Sequence, residues 1–130
     1  MTEQADALRA VVIGGSGFLG SHVADQLSEE GHSVCIYDRV ASPWQRPDQE
    51  MVVAELSDEA SLSEAIDGTD IVYNFAALAD LDEAMSRPKE TAEVNVLGNV
   101  NVLECCRRHG IERFVFASTV YVNSREGGFY

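Results

Sequence analysis

Short apolar runs and segments with helical periodicity alternate along this chain. Five apolar runs are predicted to be strands, at residues 9–14, 33–38, 51–54, 70–75 and 113–117. The runs are nearly continuous instead of alternating with polar residues, which is typical of parallel strands buried on both faces. Right-handed crossovers favour the strand order 3-2-1-4-5. The sequence therefore predicts one doubly wound α/β domain with a parallel sheet over residues 1–130.

The segments between these runs predict helices. Residues 18–30, 58–66 and 88–109 place apolar side chains three and four positions apart. Ser57 is placed to cap the second of these helices, and Pro88 suits the first turn of the third. The third helix is expected to bury one apolar stripe, which consists of Val96, Val100 and Leu103.

The chain is strongly acidic, with 22 Asp and Glu residues against 9 Lys and Arg residues and a formal net charge of −13. This balance argues against binding of nucleic acid, which needs clustered cations along the phosphate backbone. No apolar run approaches the roughly 18–20 residues of a membrane span, so no membrane association is expected. The polar N-terminus carries no secretory or transit signal, which favours a cytoplasmic protein.

The cysteines point to the same compartment. Cys35, Cys105 and Cys106 are too few to close a disulfide framework, and they lack the spacing of a metal site. A reducing compartment is therefore expected, with no bound metal.

A glycine-rich turn joins the first strand to the first helix. Its sequence, at residues 14–20, is G-G-S-G-F-L-G. Glycine suits this place because the turn is tight and because a pyrophosphate can approach the backbone only where no Cβ stands in the way. The N-terminus of the following helix offers free N–H groups and a positive dipole to phosphates. A turn with a purely structural role could have the same sequence. The position of this turn, between the first strand and the first helix, favours dinucleotide binding by Gly14, Gly17 and Gly20.

An acidic residue, Asp38, ends the second apolar run. A carboxylate at this point can accept hydrogen bonds from both hydroxyls of an adenosine ribose, and it would repel a 2′-phosphate. Arg39 follows directly and leaves some room for a phosphate. Together the two residues favour NAD over NADP as the cofactor.

Several segments, taken with these features, resemble the extended short-chain dehydrogenase/reductase superfamily, and within it the NAD-dependent epimerase/dehydratase family. They are the glycine turn, residues 74–77 (N-F-A-A), residues 95–99 (N-V-L-G-N) and residues 116–121 (F-A-S-T-V-Y). The resemblance implies a Rossmann-type fold of which this chain is the N-terminal part, with the smaller substrate lobe beyond residue 130. It also implies that NAD is the cofactor and that a nucleotide sugar is the substrate.

The resemblance assigns further residues to the cofactor. The backbone amides of Phe18 and Leu19 would join the glycines around the pyrophosphate. Other contacts are implied for Glu55, Leu56, Phe75, Ala76, Ala77 and Asn95. Glu55 replaces an aspartate that is usual in the family, and Ala79 stands where some epimerases carry a lysine. Asn95 either reaches the site or only covers its helix.

The resemblance also implies a catalytic group after the fifth strand. Family members hold a Ser or Thr there and a Tyr-x-x-x-Lys pair on the next helix, where the lysine lowers the tyrosine pKa so that it can exchange a proton with a sugar hydroxyl. Thr119 fits the first role, with Ser118 beside it. Tyr130 is the predicted tyrosine and Tyr121 the competing one. With Tyr130, the lysine falls beyond the last residue.

The expected function is therefore that of the NAD-binding part of a nucleotide-sugar epimerase/dehydratase-type oxidoreductase. Such an enzyme oxidises C4 of the sugar transiently by hydride transfer to NAD. The 130-residue chain alone is expected to be inactive, because the lysine and the sugar pocket lie outside it. The alternative is a non-catalytic NAD-binding or sensor module of the same fold. A homodimer formed through the helix after Pro88 is also expected.

Overall fold

The fold is built on five parallel strands. The computed structural model describes residues 6–119 and residue 122. The strands are β1 (Arg9–Ile13), β2 (Ser33–Asp38), β3 (Gln49–Val53), β4 (Ile71–Asn74) and β5 (Arg113–Phe116). They form one sheet in the order β3-β2-β1-β4-β5, in which all neighbours are parallel. The predicted fold class and strand order are therefore confirmed.

Helices connect the strands. They are α1 (Phe18–Glu29), α2 (Glu59–Ile66), α3 (Leu81–Ser86), α4 (Pro88–Ala92), a π-helical segment (Glu93–Gly98) and α5 (Asn99–Arg108). The sequence did not predict α3, a short helix capped by Asp80. The prediction that Ser57 caps α2 was wrong. Asp58 caps it, because its carboxylate accepts the Ser61 N–H at 3.0 Å.

The predicted buried stripe of the third helix was also wrong. Val96, Val100 and Leu103 are 64%, 51% and 42% exposed. The face turned toward the sheet instead carries Val102, Cys105 and Cys106, all of which are buried. Both faces of this segment are apolar at helical spacing, so periodicity alone cannot tell which one meets the sheet.

The core has two layers, one on each face of the sheet. Ala24 of α1 packs with β1 and β2 residues such as Val12 and Ile36 on one face. On the other face, α2 and α5 cover Val11, Tyr37 and their neighbours. With helices on both faces, β1 and β2 are almost fully excluded from water, and this fixes the strand ends from which the site is built.

Candidate functional site

A cleft of about 530 Å³ opens at the carboxyl ends of the strands. Residues that follow β1, β2, β3 and β4 form its floor and walls, and residues of α4 and the π segment lie over it. In open parallel sheets, ligands bind at this edge where the strand order reverses, which here is between β1 and β4. Nine of the predicted cofactor residues line the cleft, namely Gly14, Gly17, Asp38, Arg39, Glu55, Leu56, Phe75, Ala76 and Ala77.

Gly14 and Gly20 are required by the packing of the chain itself, as is Gly15, where a Cβ would lie 2.8 Å from the backbone carbonyl oxygen of Val12. Gly14 has a φ of +76°, and a Cβ there would lie 2.6 Å from the backbone nitrogen of Ala76. Gly20 is buried in α1, and a Cβ there would lie 2.2 Å from the carbonyl oxygen of Gly14. Gly20 does not line the cleft, so its visible role is to let α1 approach the end of β1.

Gly17 differs from these three residues. Its φ is −81°, an ordinary value, and a Cβ there would meet only the Gly14 carbonyl oxygen, at 3.4 Å. Gly17 is also the N-cap of α1, a position where a serine or aspartate would stabilise the helix more than glycine does. Nothing within the described chain requires glycine at this point. A ligand that lies close to the backbone would, and Gly17 lines the cleft.

The N-terminus of α1 presents N–H groups that are suited to bind an anion. Because Gly17 has no side chain, no side-chain cap occupies the N–H groups of the first helical turn. Phe18 and Leu19 begin this turn, and their side chains are exposed, so their contribution to a ligand would come from the backbone. A twelve-residue helix with uncapped N–H groups suits the pyrophosphate of a dinucleotide.

Asp38 ties the glycine turn to the end of β2. Its Oδ2 atom accepts the Ser16 N–H at 3.0 Å, and its Oδ1 atom accepts the Val40 N–H at 3.2 Å. Each carboxylate oxygen has a second lone pair, so these bonds fix the orientation of the group and leave acceptor sites for ribose hydroxyls. Asp38 thus combines a structural contact with an acceptor that lines the cleft.

The floor of the cleft is held by a buried tyrosine. The Tyr37 hydroxyl donates to the backbone carbonyl of Glu55 at 2.8 Å, which positions residues 54–57 beside the cleft. Burial, followed by the carboxylates of Asp58 and Glu55, raises the pKa of the Tyr37 phenol far above its usual range. The hydroxyl therefore stays protonated and acts as a structural donor.

Asn95 does not line the cleft but orients one of its walls. Its side-chain oxygen accepts the Leu78 N–H at 2.8 Å, and its side-chain nitrogen donates to the Leu78 carbonyl at 3.0 Å. Leu78 follows the predicted residues 75–77 and lines the cleft with them. This contact matches neither interpretation left open for Asn95, since the residue does not line the cleft and yet bonds Leu78, which does.

Ser118 and Thr119 lie at the same edge of the sheet. They follow β5, which runs parallel to β4 with Phe116 paired to Asn74, and both residues are exposed. Neither lines the cleft. Tyr130 and the competing Tyr121 lie outside the described residues, so their predicted roles stay predictions.

The cleft also contains residues that the sequence did not indicate. These are mainly the residues of α4, the π segment and α5 that lie over it, namely Glu90, Glu93, Val94, Leu97, Gly98 and Asn101. Gly98 carried the one usable signal, because glycine inside a helix often marks a close approach. A Cβ at Gly98 would lie 2.6 Å from Cδ1 of Leu56. Glu90 carried no such signal, since its place depends on how α4 crosses the cleft.

Among residues 6–119 and residue 122, no group of three or more His, Cys, Asp or Glu side chains is arranged to hold a metal ion. In the same part of the chain, no helix has the length and apolar character needed to cross a membrane.

Comparison with known proteins finds a matching family model and several curated relatives. The family model described as NAD dependent epimerase/dehydratase family matches residues 10–128. A 3-beta-hydroxysteroid dehydrogenase from Mycolicibacterium neoaurum is 32% identical over 91% of this chain and 34% of its own length. A UDP-glucose 4-epimerase from Klebsiella pneumoniae is 28% identical over 88% of this chain and 91% of its own sequence.

Solved structures agree with the sequence relatives. The structure of a Thermus thermophilus UDP-glucose 4-epimerase in complex with NAD aligns with a TM-score of 0.83 and 32% identity. The alignment covers 93% of this chain and 42% of the Thermus chain. Several other curated relatives are likewise longer, and this chain spans 31–37% of their length.

Proposed function

This chain belongs to the NAD dependent epimerase/dehydratase family, and we propose that residues 1–130 are the NAD-binding domain of a nucleotide-sugar epimerase/dehydratase-type oxidoreductase. One observation carries the proposal: a cleft at the strand-order reversal contains both Gly17, which nothing in the described part of the chain requires to be glycine, and the carboxylate of Asp38. A dinucleotide needs both of these features, one at its pyrophosphate and the other at its adenosine ribose.

Different residues of the cleft would bind different parts of the cofactor. The uncapped N-terminus of α1, with Phe18 and Leu19, would bind the pyrophosphate, and Asp38 would bind the adenosine ribose. Glu55 and Leu56 would lie beside the adenine. Residues 75–77 would line the path to the nicotinamide, with Asn95 holding this wall through Leu78.

The reaction would take place at the end of β5. When bound, NAD would supply a hydride acceptor for the transient oxidation of C4 of a sugar. Thr119 would bind the reacting hydroxyl, with Ser118 beside it, and Tyr130 would act as the general acid and base. The position of Ser118 and Thr119 at the carboxyl edge that also carries the cleft supports these roles.

The assembly and location form part of the proposal. The exposed apolar side chains of Val96, Val100 and Leu103 support a homodimer formed through the helix after Pro88. The free cysteines at 35, 105 and 106 are buried, which fits a reducing compartment such as the cytoplasm.

A titration of the chain with NAD tests the proposal. We expect Asp38→Ala to weaken NAD binding by about 1–3 kcal/mol, the scale of hydrogen bonds to a charged group, and to narrow the preference for NAD over NADP. Asp48→Ala is the matched control, because Asp48 is an exposed carboxylate outside the cleft. Calorimetry that finds no binding by the unaltered chain, or equal binding by Asp38→Ala, would contradict the proposal. Thermal unfolding of both variants separates lost binding from lost folding.

The relationship to the Mycolicibacterium enzyme favours a second candidate function, the dehydrogenation of a 3-beta-hydroxysteroid. The two functions and the non-catalytic alternative differ in one experiment on the natural protein that contains this chain. A UDP-sugar or a 3-beta-hydroxysteroid is added with NAD, and both the absorbance of the reduced nicotinamide and the conversion of the substrate are followed. Conversion of the UDP-sugar without net nicotinamide reduction supports the proposed function, because the hydride is returned, and net reduction by the steroid supports the second. NAD binding with neither conversion nor reduction supports the non-catalytic module.

A further inference from the structure

We propose that Glu90 determines cofactor specificity by holding Arg39 against the wall of the cleft, so that this arginine is not available to a 2′-phosphate. The inference rests on the proposed function, because it concerns the adenosine end of the same cleft. It assigns the preference for NAD to a pair of residues on two elements, in addition to the carboxylate of Asp38.

The pair joins opposite sides of the cleft. Arg39 directly follows the last residue of β2, and Glu90 lies in α4. The Nη1 atom of Arg39 is 3.9 Å from the Oε1 atom of Glu90, and both residues line the cleft. The arginine next to the ribose-binding carboxylate is therefore directed toward α4.

Glu90 is itself held in place. The Nη1 atom of Arg87 donates to both carboxylate oxygens of Glu90, at 3.1 Å and 2.9 Å. Arg87 also bonds the carboxylate of Glu83, one helical turn away in α3. The Glu90 carboxylate is thus part of a chain of alternating charges, Glu83–Arg87–Glu90–Arg39, that fixes its position at the mouth of the cleft.

The charges around the cleft explain why the pairing of Arg39 with Glu90 disfavours a 2′-phosphate. Among the described residues that line the cleft, Arg39 is the only Lys or Arg, whereas Asp38, Glu55, Glu90 and Glu93 carry carboxylates. Enzymes that accept a 2′-phosphate at this place use an arginine near the end of the second strand. Here the arginine that could serve is paired with Glu90, and the carboxylate of Glu90 adds to the repulsion of a phosphate.

The test replaces Glu90 with its uncharged isostere. We expect Glu90→Gln to raise the affinity for NADP roughly 3- to 10-fold, from one released arginine and one removed carboxylate, and to change NAD affinity less than about twofold. Asp38 still disfavours the phosphate, so the preference narrows without reversing. Calorimetric titrations compare NAD with NADP and 5′-AMP with 2′,5′-ADP, two pairs that differ only in the 2′-phosphate. 5′-ADP serves as the fragment that keeps the pyrophosphate, and none of these titrations needs turnover.

Two further variants make the result specific. Glu83→Gln removes a carboxylate from the same charged chain without touching Arg39, so it should leave the ratio of NADP to NAD affinity unchanged. Arg39→Ala introduced into Glu90→Gln should remove most of the gain and leave only the smaller part that comes from the lost carboxylate. An equal gain in Glu83→Gln, or a gain that survives Arg39→Ala in full, would overturn the proposal.

The outcomes separate this inference from the proposed function. If the unaltered chain binds NAD and Glu90→Gln leaves the NADP to NAD ratio unchanged, the role of Glu90 is contradicted and the NAD site stands. If the unaltered chain binds neither NAD nor 5′-ADP, both the NAD site and the role of Glu90 are contradicted.

Discussion

The inner strands β1 and β2 and the edge strand β5 differ in how completely helices cover them. Valines 11 and 12 of β1 are fully buried, as is Tyr37 of β2, with helices packed on both faces. On β5, at the far edge, Val115 is 39% exposed and Phe116 is 53% exposed. Among the described residues, strands β1 and β2 are therefore fully covered, whereas the edge strand β5 is only partly covered.

The difference follows the division of labour in the proposed function. The covered strands β1 and β2 lead into the residues proposed to bind the pyrophosphate and the adenosine, and buried contacts set the geometry of these strands. The partly covered strand β5 leads into Ser118 and Thr119, which are proposed for the chemical step. Cofactor binding should accordingly depend on the described part of the chain, whereas the proposed chemical step also uses Tyr130, which lies outside the described residues.

The largest expected effect on stability is at Gly14, where the end of β1 approaches the end of β4. In Gly14→Ala the new Cβ would collide with the backbone at Ala76, after β4, and the φ of +76° would be strained as well. We expect a loss of about 3 kcal/mol or more in the free energy of unfolding. Chemical denaturation measures this loss.

Gly110→Ala is the matched control for that variant. Gly110 has a similar φ of +67°, but a Cβ there meets nothing within 4 Å. It should cost about 1 kcal/mol, from backbone strain alone. Equal losses in the two variants would show that the close approach of the β1 and β4 ends contributes nothing to stability.

A pair of valines tests the contrast between the central strand β1 and the edge strand β5 directly. Val12→Ala, in the covered core, should lower the free energy of unfolding by about 2 kcal/mol because it leaves a cavity. Val115→Ala, on β5, should cost no more than about 0.5 kcal/mol, as is usual for partly exposed positions. Denaturant midpoints of the two variants give the comparison. Similar losses would mean that β5 is as fully packed as β1.

The sequence predicted the elements whose signals are local. The parallel strands have continuous apolar runs, and the glycine turn and Asp38 mark strand ends by their residue types. Their register and their meeting in one cleft follow from the fold class, because the carboxyl ends of parallel strands share an edge.

Other features depend on contacts between distant segments, and the sequence did not predict them. The helix after Pro88 is apolar on two faces, so the choice of Val102 over Val100 for the core depends on how the helix packs on the sheet. The π segment at Glu93–Gly98 likewise interrupts a segment that reads as one continuous helix. Glu90 reaches the cleft only because α4 crosses it.

Gly17→Ala tests the central claim most directly, because it separates ligand binding from stability. A Cβ at Gly17 meets no strained contact, so the free energy of unfolding should fall by no more than about 1 kcal/mol, the cost of alanine in place of glycine at an N-cap. Calorimetric titration with NAD should show an affinity at least about tenfold lower, a loss of about 1.4 kcal/mol, because the methyl group stands where the pyrophosphate must approach. A stable Gly17→Ala chain that binds NAD as tightly as the unaltered chain would contradict the placement of the cofactor in this cleft.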